Sequence, residues 1–258
     1  MIAAALEVNG LTKMFGGVRA AADVSFVVPD GSLTALIGPN GAGKTTVFNL
    51  ITNIFRPSAG DIHYYGNRLN GLSPSRIASL GLIRTFQTAR VFPGMTTLEN
   101  VLVGAHRHVH SYPWSQMLWL GSARREEQDL RSRAAAMLDL AGLSRSRHTA
   151  ATDLPMGAQK LLEVIRALMA GPHMLLLDEP AAGLNDSETS EMAALLKAIR
   201  DSGITIMVVE HNMSLVMEVA DQVIVLDAGA VVASGTPAQI QGDPRVIEAY
   251  VGQQEAAV

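Results

Sequence analysis

Nine consecutive residues, Gly38-Pro39-Asn40-Gly41-Ala42-Gly43-Lys44-Thr45-Thr46, have the types and spacing needed to hold phosphate. They fit G-x-x-x-x-G-K-[ST], counted from Gly38 to Thr45. Glycines let the backbone curl so that successive N–H groups converge on one point. A helix starting behind the loop adds unpaired N–H groups and the positive end of its dipole. Lys44 is a flexible point charge that can reach β- and γ-phosphates. The Thr45 hydroxyl is placed to bind Mg2+. A glycine-rich turn that merely opens a helix is the plain alternative. The context argues against it, because residues 32–37 read as a buried strand and residues 46–51 have helical spacing.

Such a loop needs a partner acid for its metal. Residues 174–177 are an unbroken apolar run, followed at once by Asp178 and Glu179. A charge at the end of a buried strand is costly unless a cation or hydrogen bonds meet it. Asp178 is therefore expected to face the metal. Neighbours in a strand point opposite ways, so Glu179 is expected to reach an attacking water from the loop beyond. Gln87 ends another expected strand, residues 81–87, and His211 follows a third, residues 204–209. In open α/β sheets ligands bind beyond the carboxyl ends of the strands, which is where both residues fall. Position alone leaves each as readily structural as functional.

Elements that could position these groups are legible on both sides. Residues 6–11 and 23–28 read as strands, with a glycine-rich turn at residues 13–17 that carries Phe15. From about residue 88 to 170 the pattern turns helical, with helices expected at 98–106, 122–141 and 161–170. Trp114, Leu118, Trp119 and Leu120 form an apolar cluster within that region. A helix at 187–201, a hairpin over 222–234 and a last helix at 245–251 complete the pattern.

Bulk properties narrow the class. Lys plus Arg number 20 against 24 Asp plus Glu, for a net charge of −4. That lacks the basic excess expected if nucleic acid were the main partner. The chain contains no cysteine, which excludes disulfides and thiolate metal sites. No run of about 18 apolar residues occurs, so any membrane role is expected to come through a partner. The first six residues are apolar but too short for a secretory signal.

Taken together, these residues resemble the ABC-transporter ATPases over nearly the whole chain. By that resemblance Gly38 to Thr46 is the Walker A loop, Gln87 the Q-loop glutamine, and Leu175 to Glu179 the Walker B strand. Gly183-Leu184-Asn185 falls in the D-loop, His211 is the switch histidine, and Phe15 is the aromatic that stacks on adenine. The strings Gly81-Leu82-Ile83-Arg84-Thr85-Phe86-Gln87 and Leu177-Asp178-Glu179-Pro180-Ala181-Ala182-Gly183-Leu184-Asn185 are similar to the first of the two ATPases of branched-chain amino-acid importers.

The resemblance implies an α/β P-loop NTPase with a RecA-like core, an antiparallel β region and an inserted helical subdomain. The core would take residues 1–87 and 171–258, and the helical subdomain 88–170. It implies ATP and Mg2+ as cofactors, with Thr45, Gln87 and Asp178 toward the metal and Glu179, His211, Lys44 and Gln87 in hydrolysis. It also implies a second ATPase subunit, homologous or identical, together with transmembrane permease subunits and, indirectly, a substrate-binding protein. The chain would then lie peripherally on the cytoplasmic side of the membrane. Arg84, Val91, Phe92 and the tryptophan cluster become candidates for the surface facing the permease. The rival readings are the ATPase of a lipid or lipopolysaccharide exporter and a nucleotide-binding regulator with weak hydrolysis.

One motif departs from the family. Its signature is usually Leu-Ser-Gly-Gly-Gln, and here Leu154-Pro155-Met156-Gly157-Ala158 stands in its place, followed by Gln159. Proline removes both the serine hydroxyl and a backbone N–H. The composite site that uses this signature is therefore expected to be slow.

Overall fold

The computed structural model describes residues 3–85, 91–108 and 121–255. Strands β1 (Ala4–Phe15) and β2 (Val18–Pro29) form a long hairpin, and β3 (Leu33–Ile37) leads into α1 (Lys44–Ile51). Next come β4 (Ala59–Tyr64), β5 (Asn67–Arg68), α2 (Pro74–Ser79) and β6 (Leu82–Arg84). Then follow α3 (Thr97–Val103), α4 (Gly121–Leu140), α5 (Met156–Met169), β7 (Met174–Asp178) and α6 (Asp186–Asp201). The chain continues through β8 (Thr205–Val209), α7 (Met213–Val219), β9 (Gln222–Asp227), β10 (Ala230–Gly235), α8 (Pro237–Gln241) and α9 (Pro244–Glu255).

Contacts divide the chain into two units. The first comprises Met1–Arg84, His173–Ala182 and Leu196–Val258, and the second Thr85–Pro172 and Gly183–Leu195. The first unit carries both sheets. One has the order β2-β1-β4-β5 and is antiparallel; the other has the order β10-β9-β3-β8-β7-β6. From β9 to β6 the second sheet is parallel, with β10 antiparallel at its edge. Every residue of β3, β7 and β8 is buried, as befits parallel strands covered on both faces. One hydrophobic core joins both sheets and α1, with Leu6, Phe26, Phe48, Ile62, Leu176 and Ile224 among its members.

The first hairpin differs from the expected strand–turn–strand. Strand β1 runs on to Phe15, so only Gly16 and Gly17 remain as the turn. Register shifts after Val8 and Leu11 let the ladder absorb Gly10, whose φ is 61°. A bulge accommodates an extra residue without ending the strand.

The second unit holds α3, α4, α5 and the start of α6. Thr96 and Glu99 close a capping box on α3. Val101, Ala134, Leu138, Ile165 and Met169 are buried within its helices. Helix α5 starts five residues earlier than its apolar pattern implies, with Pro155 as its N-cap.

Candidate active site

The loop between β3 and α1 is shaped by close backbone approaches. Gly38 has φ 151°, and a Cβ there would lie 2.1 Å from the carbonyl oxygen of Leu226. At Gly43, with φ 101°, a Cβ would lie 2.5 Å from the Ala20 carbonyl oxygen. Gly43 is the N-cap of α1 and offers no side-chain cap, so the first-turn N–H groups face the loop. Lys44 folds back over it and donates from Nζ to the carbonyl oxygens of Gly38 (2.6 Å) and Pro39 (2.9 Å). An ammonium has three N–H donors, so one remains for a phosphate oxygen. Burial lowers the Lys44 pKa below the ordinary lysine value, while the charges of Glu179 and Asp178 act in the opposite sense. The Thr45 side chain is exposed beside it.

Asp178 closes β7 and is only 3% exposed. Its Oδ2 accepts from Arg84 Nη2 at 2.8 Å, and the Arg84 side chain is itself buried. Arg84 Nη1 also donates to Asn49 Oδ1 (2.7 Å) and Thr52 Oγ1 (3.3 Å), and its guanidinium lies 5.5 Å from the Phe48 ring centre. This overturns the placing of Arg84 on an outward surface. It ties the acid of β7 to the helix behind the phosphate loop. Removing one partner of such a buried pair typically costs about 3–5 kcal/mol.

Glu179 is aimed differently from the expectation of strand alternation. The strand ends at Asp178, and Glu179 adopts φ 50°, the left-handed region. That conformation costs a side-chain-bearing residue about 1–2 kcal/mol. It is held by the Glu179 N–H donating to Val209 O (2.9 Å) and by Ala182 N–H donating to Glu179 O (3.2 Å). The kink brings Glu179 Oε2 to 4.0 Å from His211 Nδ1. The His211 side chain is 57% exposed and that of Glu179 is 21% exposed, so water can reach both.

Sequence reasoning passed over Glu210. It is fully buried, and its carboxylate accepts N–H groups from Ala181 (2.7 Å), His211 (3.1 Å) and Asn212 (3.3 Å). The signal was present: an acid directly after a buried apolar strand, the pattern that singled out Asp178.

Phe15 ends β1 and is 41% exposed. Its ring meets Phe55 edge-on at 5.2 Å, and Lys13 Nζ lies 4.9 Å from its centre. Gln87 and the tryptophan cluster lie outside the described residues. Strand β6 ends at Arg84, three residues before Gln87. Phe92 is 42% exposed.

The residues expected to form the signature belong to the second unit. Leu154 is buried, Pro155 has φ −53° and ψ 155°, and Met156, Gly157 and Ala158 form the first turn of α5. Because Pro155 sits at the N-cap, its missing N–H is not one of the first-turn donors, which remain. Gln159 turns back, donating from Nε2 to Leu154 O at 2.8 Å. A Cβ on Gly157 would lie 2.6 Å from Glu188 Oε1. Glu188 also accepts from Asn185 N–H (3.1 Å), while Asn185 Oδ1 accepts from Glu188 N–H (3.0 Å). Asn185 thus caps α6, a role aspartate would fill equally well. Near it a Cβ on Gly183 would lie 3.5 Å from Met156 Sδ, so the D-loop residues Gly183, Leu184 and Asn185 lie near the signature turn in this unit.

A phosphate loop beside an acid pair and a histidine, all at the carboxyl ends of adjacent parallel strands, defines a P-loop nucleotide hydrolase. The chain belongs to the ABC transporter family, whose model matches residues 21–182, and it is an ATPase. Residues 230–256 also match the model described as branched-chain amino acid ATP-binding cassette transporter. Among its relatives is the high-affinity branched-chain amino acid transport ATP-binding protein BraF of Pseudomonas aeruginosa. The two are 42% identical over 249 residues, which cover 96% of this chain and 98% of that one. The protein LivG of Escherichia coli K12, of the same description, is 42% identical over the same shares. Among solved structures, the ADP conformation of an ATP-binding cassette of an ABC transporter superposes with a TM-score of 0.84 at 30% identity, covering 96% of this chain and 99% of that one. A nucleotide-free cassette from an ABC transporter superposes with a TM-score of 0.80, also at 30% identity, covering 96% and 98%.

Proposed function

We propose that this chain couples ATP hydrolysis to import of branched-chain or related amino acids through membrane subunits. The observation that carries the cargo is end-to-end likeness to two transport ATP-binding proteins of that description, at 42% identity. No helix among the described residues is long and apolar enough to cross a membrane. Peripheral attachment to permease subunits on the cytoplasmic side fits that. Co-purification with permease subunits, followed by ATP-driven uptake of leucine, isoleucine and valine into proteoliposomes, tests the cargo. A complex that hydrolyses ATP but moves none of the three, and moves lipid instead, would replace the importer with an exporter.

In this reading the first-turn N–H groups of α1 and the remaining Lys44 donor bind the β- and γ-phosphates. Phe15 offers a ring face to the adenine. Thr45 and Asp178, with Gln87, would hold Mg2+: a hydroxyl, a carboxylate and an amide oxygen are the hard donors that ion takes. Bound there, the ion would neutralise charge building on the phosphates. Glu179 polarises the attacking water and His211 contacts the γ-phosphate.

The partner is a second cassette, homologous or identical, whose signature completes this chain's site. Pro155 makes the reciprocal site the slower one, for want of the serine hydroxyl. In the reconstituted transporter, Pro155→Ser combined with Ala158→Gln raises ATP turnover about tenfold, the size of one hydrogen bond to a charged group. An unchanged rate would refute the slow-site assignment.

A further inference from the structure

Glu210 is a fully buried carboxylate that none of the roles proposed above uses. Its two oxygens serve two different loops. Oε1 accepts from the N–H of Ala181, two residues beyond Glu179. Oε2 accepts from the N–H groups of His211 and Asn212. Asn212 in turn caps α7 through Leu215 N–H, at 3.1 Å. The connection also runs the other way, since the Glu179 N–H donates to the carbonyl of Val209, next to Glu210. Burial drives the Glu210 carboxyl upward from its ordinary pKa, and the three backbone N–H groups act against that rise. Three donors converging on one buried carboxylate are more than strand packing calls for, and each sits on a loop that carries a reacting group.

We propose that Glu210 is a positioning residue for hydrolysis: it clamps the Glu179 loop to the His211 loop, so that the water-polarising acid and the histidine move as one body. This rests on the roles given above to Glu179 and His211. Glu210→Gln is nearly isosteric, but its amide nitrogen points a donor at backbone donors, so one loop is released.

In the reconstituted transporter, Glu210→Gln lowers kcat about 10- to 100-fold, as expected of residues that orient a reacting group. KM for ATP stays within about twofold of wild type, because the phosphate loop is untouched. In a double-mutant cycle, Glu210→Gln costs less in a His211→Ala background than in wild type. Hydrogen exchange on the wild-type protein gives a reading independent of any variant's folding: the Ala181 and Asn212 amides are as protected as those of β8. Wild-type kcat in Glu210→Gln, fully multiplicative losses in the cycle, or fast exchange at Ala181 would each overturn the proposal. If Glu179→Gln and His211→Ala also turn over like wild type, the reading of the site falls and takes this clamp with it. If only Glu210→Gln does, the clamp alone is wrong.

Discussion

Glu179→Gln leaves nucleotide binding intact and lowers turnover by about 10²–10⁴-fold, the usual contribution of a positioned general base. In the proposed site the binding contacts lie elsewhere, in the turn at Gly38 to Thr46 and in Lys44, whose Nζ is anchored to the Gly38 and Pro39 carbonyls. The substitution keeps side-chain volume and leaves the left-handed backbone at φ 50° as it is. It removes the charge that lies 4.0 Å from His211. Folding is therefore expected to survive, with a melting temperature near that of wild type. Phosphate release under single-turnover conditions, set beside the affinity for a fluorescent ATP analogue, separates the two effects. Wild-type-like hydrolysis would contradict the role of Glu179.

Gly38→Ala abolishes nucleotide binding and destabilises the chain. The added methyl would lie 2.1 Å from the Leu226 carbonyl oxygen, in the backbone of β9. Backbone cannot swing aside as a flexible side chain can, so β3 and β9 must separate or the loop must unwind. Overpacking a close-packed site costs about 1–3 kcal/mol, and the unfavourable φ of 151° adds to it. Gly41→Ala is the control. Gly41 also has positive φ, at 81°, yet its methyl would meet nothing within 4 Å. Strain alone then predicts a stability loss near 1–2 kcal/mol, with no backbone displaced. Thermal melting and nucleotide affinity of the two variants measure the difference. Equal behaviour would mean that the approach of Leu226 is irrelevant to the loop.

Both sites of these substitutions were legible in the sequence because their logic is local. A glycine loop between a strand and a helix, or an acid ending an apolar run, is written in neighbouring residues. What escaped depends on distant partners. Arg84 reads as a surface arginine until β6 pairs with β7 and places it against Asp178, 94 positions along the chain. Glu210 reads as a loop acid until the Ala181 N–H, 29 positions away, is brought to it. Glu179 was expected to gain its direction from strand alternation. Its direction comes instead from a single residue in the left-handed region, a conformation that glutamate does not advertise. The first glycine-rich turn misled in the opposite sense: it was expected over residues 13–17, but β1 runs on to Phe15 with a bulge at Gly10.

The place of β3 in its sheet has a consequence for how this protein is made. It lies between β8 and β9, both encoded far downstream of it. The Gly31 N–H bonds Thr205 Oγ1 across 174 residues, and the Leu33 N–H bonds Asp221 Oδ2 across 188. Non-local parallel pairing of this kind is slow, since chain entropy is lost before the contacts reward it. At ordinary elongation rates, an interval of 188 residues lasts on the order of ten to forty seconds. Until β8 is made the nascent strand Leu33–Ile37 has neither of its neighbours, and until β9 follows it has only one. The nucleotide site is thus assembled only after β8 and β9 have been made, and until then its apolar strand is open to mispairing.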